Sequence, residues 1–304
     1  MKISLVATLL FNSLLYCQIP KVTSGTIQHF EKFKSSFVDA RNIDVWLPDN
    51  YSEKEKYAVL YMHDGQMLFD ATITWNKQSW EVDATAGKLI EEGKIKKLIV
   101  VGIWNNGLKR HPEYFPQKVY KKLTDEEKNF VSNELLSRGK IDETFSPISD
   151  HYLKFIVTEL KPFIDSHFST LTDKDDTFIA GSSMGGLISM YAICEYPEVF
   201  GAAACLSTHW TGIYQIENNP IPAAFFDYMR TYLPNPRTNR IYFDYGDKTL
   251  DELYFSLQLT ANDIMREKGF NKANWITLLF PGKDHSEKSW AERLHIPLEF
   301  LLDK

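Results

Sequence analysis

The chain has little cysteine, no long block of like charge and no internal repeat, and each shortage removes a class of function. Three cysteines in 304 residues cannot staple a disulfide scaffold. Cys194 and Cys205 have no histidine at ligand spacing, so neither points to a zinc site. Both lie in apolar segments, Tyr191-Ala-Ile-Cys194 and Ala202-Ala-Ala-Cys205, the usual setting of buried free thiols. The net charge is −6, and no charge run is long enough for an interaction tail, so nucleic acid is not an expected partner. No low-complexity tract or Pro/Gly-rich linker divides the chain. Beyond the first residues no apolar run could span a bilayer, so no membrane partner is expected after leader removal. With 44% apolar and 24% charged residues, the composition is that of a globular domain with a sizeable core.

What is present begins with a leader. Lys2 supplies a positive start, Ile3 to Tyr16 is mostly apolar, and polar Gln18 follows. That layout predicts a secretory signal peptide over residues 1–17, a folded domain over 18–304, and a secreted or periplasmic location. Lipid attachment at Cys17 is the less favoured alternative, because Tyr16 is bulky where such a cleavage site wants a small residue.

Eight strands are predicted. Thr26 to Phe33 and Asn42 to Leu47 alternate, and read as an antiparallel pair. Tyr57 to His63, Leu98 to Trp104, Asp176 to Gly181, Gly201 to Leu206, Arg240 to Tyr245 and Trp275 to Phe280 are more continuously apolar, as strands buried on both faces are. Helices are expected over Asp150 to His167 with Asp150 as cap, and over Met184 to Cys194, Asp251 to Lys268 and Ser286 to Leu302. This alternation implies an α/β fold, a mostly parallel eight-stranded sheet with helices on both faces. Its ligands should bind at the carboxyl ends of the strands. The long connections Pro116 to Ser149 and Thr211 to Asn239 leave that edge and read either as lids or as surface decoration.

The chemistry concentrates at Gly181-Ser-Ser-Met-Gly185, followed by Gly186. The G-x-S-x-G spacing falls between a strand and a helix, the context of a nucleophile elbow with Ser183 as nucleophile and Ser182 its excluded neighbour. A serine hydroxyl needs a base to take its proton. His285 lies in the loop between the last strand and last helix, where an α/β-hydrolase keeps that base. The acid should follow the strand Arg240 to Tyr245, and the candidates are Asp251, preferred here, and Asp247; Asp244 lies within the strand and is less suited to reach the loop. Asp251 could instead cap its helix. Backbone amides of Met184 and Gln66 are the expected oxyanion donors, with Gly65 permitting close approach. His63 and Asp64 superficially suggest a metal pair, but neighbours at a strand end point apart and a structural role is expected. No metal or cofactor is called for.

At these residues the sequence resembles an esterase family of α/β-hydrolases. That family includes the feruloyl and acetyl-xylan esterases of carbohydrate esterase family one, S-formylglutathione hydrolase and enterobactin-type esterases. The resemblance rests on Leu60-Tyr-Met-His-Asp-Gly-Gln66 with Leu68-Phe-Asp70, on Trp75 and Trp80, and on Val101-Gly-Ile103 with Asn105. Arg110, Glu113-Tyr114 and Pro116, the elbow, Leu206-Ser-Thr-His-Trp210 and Asp284-His285 complete it. Met67 departs from the family's usual asparagine. The resemblance implies substrate-lining roles for Arg110, Tyr114 and Trp210, each of which also has a packing reading, with Arg110 pairing Glu113. It implies a serine carboxylic ester hydrolase acting on a small-molecule or polysaccharide-linked ester, such as feruloyl or acetyl decorations. A siderophore trilactone esterase and an inactive binding module of the same fold are the competing readings.

Overall fold

The computed structural model describes residues 19–303, so the expected leader, Cys17 included, lies outside the described residues. Its strands are β1 (Thr26–Phe33), β2 (Arg41–Leu47), β3 (Ala58–His63), β4 (Leu98–Ile103), β5 (Thr177–Ser182), β6 (Ala202–Leu206), β7 (Arg240–Tyr245) and β8 (Trp275–Leu279). They form one sheet in the order β1-β2-β4-β3-β5-β6-β7-β8. The sheet is mixed. β1 with β2 and β2 with β4 are antiparallel, and every pairing from β4 across to β8 is parallel.

The helices are α1 (Val82–Glu91), α2 (Arg110–Tyr114), α3 (Gln117–Tyr120), α4 (Asp125–Ser137), α5 (Ser149–Phe155), α6 (Lys161–His167), α7 (Met184–Glu195), α8 (Ile221–Tyr232), α9 (Phe255–Glu267), α10 (Glu287–Arg293) and α11 (His295–Leu301). They cover both faces. Alternation along β3 explains its unbroken apolar run: Val59 and Tyr61 enter a core beneath α5, α6, α7, α8 and α9, while Ala58, Leu60 and Met62 enter a second core with α1, α10 and α11. β8 is only partly buried, as its edge position requires.

Three predicted helices differ in detail, and proline explains two of them. The Asp150 to His167 segment is α5 and α6 joined by a π turn at Ile156–Leu160. Pro162 has no N–H to offer the Thr158 carbonyl and its ring crowds it, so the helix widens just before the proline. Pro297 bears likewise on the Arg293 carbonyl, and the last helix divides into α10 and α11. The Asp251 to Lys268 stretch opens as a 3-10 turn, Thr249–Leu253, before α9. Asp150 is not a cap: Ile148 holds that position, and Asp150 accepts a 2.5 Å hydrogen bond from the Tyr191 hydroxyl.

The long connections are part of the core. Val119, Val131, Leu135, Ile141 and Phe145 from one, and Phe225, Phe226 and Met229 from the other, join the apolar cluster over α7. Cys194 and Cys205 are free and buried. Among the described residues no helix is long and apolar enough to cross a membrane.

The strand order decides where a ligand can sit. From β3 the chain passes through α1 to β4 on one side, and from β5 it passes through α7 to β6 on the other. The loops after β3 and β5 therefore diverge and open a crevice at the carboxyl ends of two neighbouring strands. Gln66 and Ser183 lie in those two loops.

Candidate active site

The turn between β5 and α7 is compressed. Ser183 has φ 57° and ψ −122°, a conformation costly for a residue with a side chain. It is held from both sides: its amide donates to the Leu206 carbonyl at 2.9 Å, and its carbonyl accepts from the His209 amide at 3.2 Å. The glycines are required by contact. A Cβ on Gly181 would lie 2.8 Å from the Gly185 carbonyl carbon, and one on Gly186 3.0 Å from the Leu206 oxygen. Ser182 is buried at the strand end, whereas Ser183 is half-buried.

Met184 opens α7, so its amide is among those that a helix leaves without an intrahelical acceptor. Gln66 is the second residue of a 3-10 turn, Gly65–Met67, where the first internal bond is made by the next amide, from Met67 to Asp64. Gly65 presses on β4 so closely that a Cβ would stand 2.6 Å from the Gly102 carbonyl carbon. The Gln66 side chain accepts from the Asn105 amide at 3.1 Å, fixing the loop after β3 to the loop after β4.

The loops after β7 and β8 meet over the other half of the crevice. Gly246 lies against the Lys283 carbonyl, where any Cβ would collide. This contact brings Asp251 under His285: Asp251 Oδ1 and His285 Nδ1 are 2.6 Å apart. The other carboxylate oxygen accepts from Ser207 Oγ and from the Gly246 amide, both at 2.6 Å. Burial pushes the Asp251 carboxyl up, but the His285 hydrogen bond and charge, with Ser207 and Gly246, outweigh it and hold it below the usual carboxylate range. Asp247 faces away and accepts from the Gly282 amide at 2.7 Å. The His285 ring is set edge-on between Trp290, at 5.0 Å, and Tyr254, at 6.0 Å.

Arg110 pairs with Asp64 rather than with Glu113. Its Nε and Nη2 donate to the two Asp64 oxygens at 2.7 Å each, and Asn105 adds a third bond at 2.7 Å. Glu113 is the buried partner of Arg41. Burial raises Asp64, but the Arg110 charge and these bonds prevail and lower it. His63 points elsewhere and shares a 2.9 Å hydrogen bond with the Tyr152 hydroxyl. Burial first, then Arg110, pushes it down to about 3, so it is neutral. Among the described residues no group of three or more metal-ligating side chains is assembled.

Of the three residues expected to line a substrate, only Arg110 presents surface, with 24% of its side chain exposed. Tyr114 is fully buried beneath the Arg110 guanidinium. Trp210 is fully buried as well, packed on Phe226 and Phe243, with its N–H on Gln258 at 2.9 Å. Their aromatic character is spent on packing. Sequence reasoning missed Ser207 and Arg293, which gather behind Asp251 with Asp244, a residue it had set aside as lying within its strand. Ser207 falls inside the Leu206-Ser-Thr-His-Trp210 segment, but nothing local links it to residues 44 and 86 positions away.

The geometry has counterparts. A family model described as "Putative esterase" matches residues 35–294. A bifunctional endo-1,4-beta-xylanase/feruloyl esterase of Xylanibacter ruminicola is 29% identical over 220 residues, 69% of this chain but only 25% of that protein. A solved ferulic acid esterase superposes with a TM-score of 0.64 at 17% identity, covering 93% of this chain and 99% of that one. The enterobactin esterase of Shigella flexneri gives 0.63 at 16% identity, covering 93% and 60%. At such identities the superpositions show the fold alone, that of esterases built on the α/β-hydrolase plan. Since the family model takes in most of the sequence, the chain belongs to this esterase family and is a carboxylic ester hydrolase.

Proposed function

We propose that Ser183, His285 and Asp251 form the catalytic triad, that the reaction runs through an acyl-enzyme, and that the substrates are carbohydrate-linked feruloyl or acetyl esters. The observation that carries this reading is the 2.6 Å contact between His285 Nδ1 and the buried Asp251 carboxylate. An Nδ1 proton held there leaves Nε2 as the basic nitrogen. Ser183 Oγ attacks the ester carbonyl as Nε2 takes its proton, and the Met184 and Gln66 amides receive the negative charge on oxygen. Collapse expels the alcohol, which takes the proton from Nε2. Water then attacks the acyl-enzyme with His285 again as base, releasing acid and free Ser183. Arg110, with its exposed edge, is our candidate for the substrate wall.

A siderophore trilactone is the second reading, and its support is local. Arg138 and Lys140 lie over the Tyr214 ring at 5.5 and 5.2 Å, and Tyr214 faces His209 at 5.5 Å, so an anionic ligand would meet cations near the elbow despite the net charge of −6. A hydrolysis panel separates the readings. Methyl ferulate and acetylated xylan should turn over faster than a catecholate trilactone or long-chain triglycerides; the reverse order rejects the carbohydrate-ester reading. Ser183→Ala should abolish labelling by a fluorophosphonate probe, and Ser182→Ala should retain it. Full labelling of Ser183→Ala would remove that serine from the triad.

A further inference from the structure

We infer that Ser207 and Arg293 are positioning residues for ester hydrolysis, forming with Asp244 a buried clamp that fixes the Asp251 carboxylate behind His285. The inference rests on the reading of Asp251 as triad acid. Its centre is the Ser207 hydroxyl, which has one proton to give and two lone pairs to fill. Trp290 Nε1 donates to it at 3.0 Å and Arg293 Nη2 at 3.1 Å. Both acceptor positions are thereby occupied, and the proton is directed to Asp251 Oδ2 at 2.6 Å. Arg293 Nη2 also donates to Asp244 Oδ1 at 2.9 Å, and the Tyr242 hydroxyl donates to Asp244 Oδ2 at 2.9 Å. Ser207, Asp244 and Arg293 are all buried, so no solvent competes for these bonds.

The backbone points the same way. Ser207 has φ 42°, a left-handed conformation that a serine adopts at a cost, and its amide is tied to the Asp244 carbonyl at 2.7 Å. That conformation aims the hydroxyl at Asp251. Trp290, which holds the hydroxyl, also packs edge-on against the His285 ring, so one hub orients both the acid and the base. A carboxylate pinned at one oxygen by Ser207 and Gly246 cannot rotate away from Nδ1, and that alignment is what the transition state needs.

The test measures kcat, KM, melting temperature and the pH profile of kcat/KM on p-nitrophenyl acetate. The titratable groups facing His285 are Asp251, Asp284, His209 and Tyr254; those facing Asp251 are Asp244, Tyr254 and His285. Ser207→Gly suits the positive φ and removes the hydroxyl. It should lower kcat on the order of 10- to 100-fold with KM nearly unchanged. Arg293→Gln removes the cation while Asp244 stays. It should lower kcat similarly and move the acid limb of kcat/KM upward by roughly half a pH unit or more. Arg293→Lys, which keeps the charge, should restore the limb. Lowered melting temperatures with kcat and the limb both unmoved would mean a structural role only, and would overturn the inference. If Ser207→Gly does not fold, the comparison of Arg293→Gln with Arg293→Lys decides. Asp251→Asn distinguishes the two failures: if it is active, the triad reading falls. If it is crippled while the Ser207 and Arg293 variants match wild type, the clamp alone falls.

Discussion

Asp247 and Asp251 stand in one loop, yet their surroundings give them different work. Asp247 is partly exposed and tethers the turn at Gly282. Asp251 is buried and spends both oxygens on His285, Ser207 and Gly246. It caps no helix, since α9 begins after Tyr254. Asp251→Asn should therefore lower turnover by roughly ten-thousand-fold, as loss of a triad acid does. Asp247→Asn, which keeps an oxygen for Gly282, should stay close to wild type. Steady-state kinetics on the pair, with melting temperatures, decides the assignment; an active Asp251→Asn beside a crippled Asp247→Asn would move the acid to the earlier position. The sequence-based preference for Asp251 rested on a following helical turn anchoring the loop's far end, and the structure sets its carboxylate against His285. The partners that pin it were hidden, because Ser207 and Arg293 reach it from other strands and helices.

Among elements, the strand–turn–helix of β5 and α7 is the most constrained. Gly181 abuts the backbone of Gly185, so a methyl group there cannot be relieved by a rotamer change. Gly181→Ala should cost about 1–3 kcal/mol of stability as an overpacked site. It should also lower kcat more than Tm suggests, because the displaced backbone carries Ser183. Urea unfolding and kinetics on the variant check both; a stable, fully active Gly181→Ala would show that the close packing is not required. This element was legible because the chemistry demands a local pattern, small residues around one serine. The breaks at Pro162 and Pro297 were legible in principle too, since each proline marks the carbonyl four residues earlier. Asp150 misled because Asp suits a helix start for local reasons, while here its carboxylate is taken by Tyr191 across the core.

For the molecule as a whole, three buried histidines contribute to the response to acid. Burial is the main cause that holds His63, His111 and His209 neutral, the first two pushed down from 6.5 to about 3. In the unfolded chain they regain their ordinary value, so below pH 6.5 the unfolded state binds protons that the folded state refuses. The stability that neutral His63 and His111 confer should be full above pH 6.5 and fall between 6.5 and about 3, by about 1.4 kcal/mol per pH unit for each of the two, and His209 adds to the fall in the same direction. The upper part of that window lies above the ordinary carboxylate range, and Asp44 and Asp244, raised chiefly by burial, act against the histidines there. Urea midpoints at pH 7.5 and 5 test it: His63→Gln should flatten the dependence by one proton's share, and a dependence unchanged by His63→Gln would show that His63 protonates in the fold. At the chain's start, residues 1–17 should be absent from the native protein. Mass spectrometry of the exported form would detect a start near Gln18; an intact Met1 or a lipid on Cys17 would reject simple leader cleavage.

The sequence by itself determined the eight strands, their mainly parallel pairing, the tight turn that carries Ser183 and the loop that carries His285. These are written in short-range patterns: apolar runs for doubly buried strands, glycines where backbones touch, a histidine in the loop after the last strand. Tertiary structure alone decided the antiparallel side of the sheet at β4, because neighbour choice depends on which edge the twisted sheet leaves open. It also decided that Arg110 answers to Asp64, that Arg41 answers to Glu113, and that Tyr114 and Trp210 turn inward. A buried charge takes whichever opposite charge the fold brings within reach, and a large aromatic goes where the most surface can be covered. Both are set by distances that sequence separation does not encode.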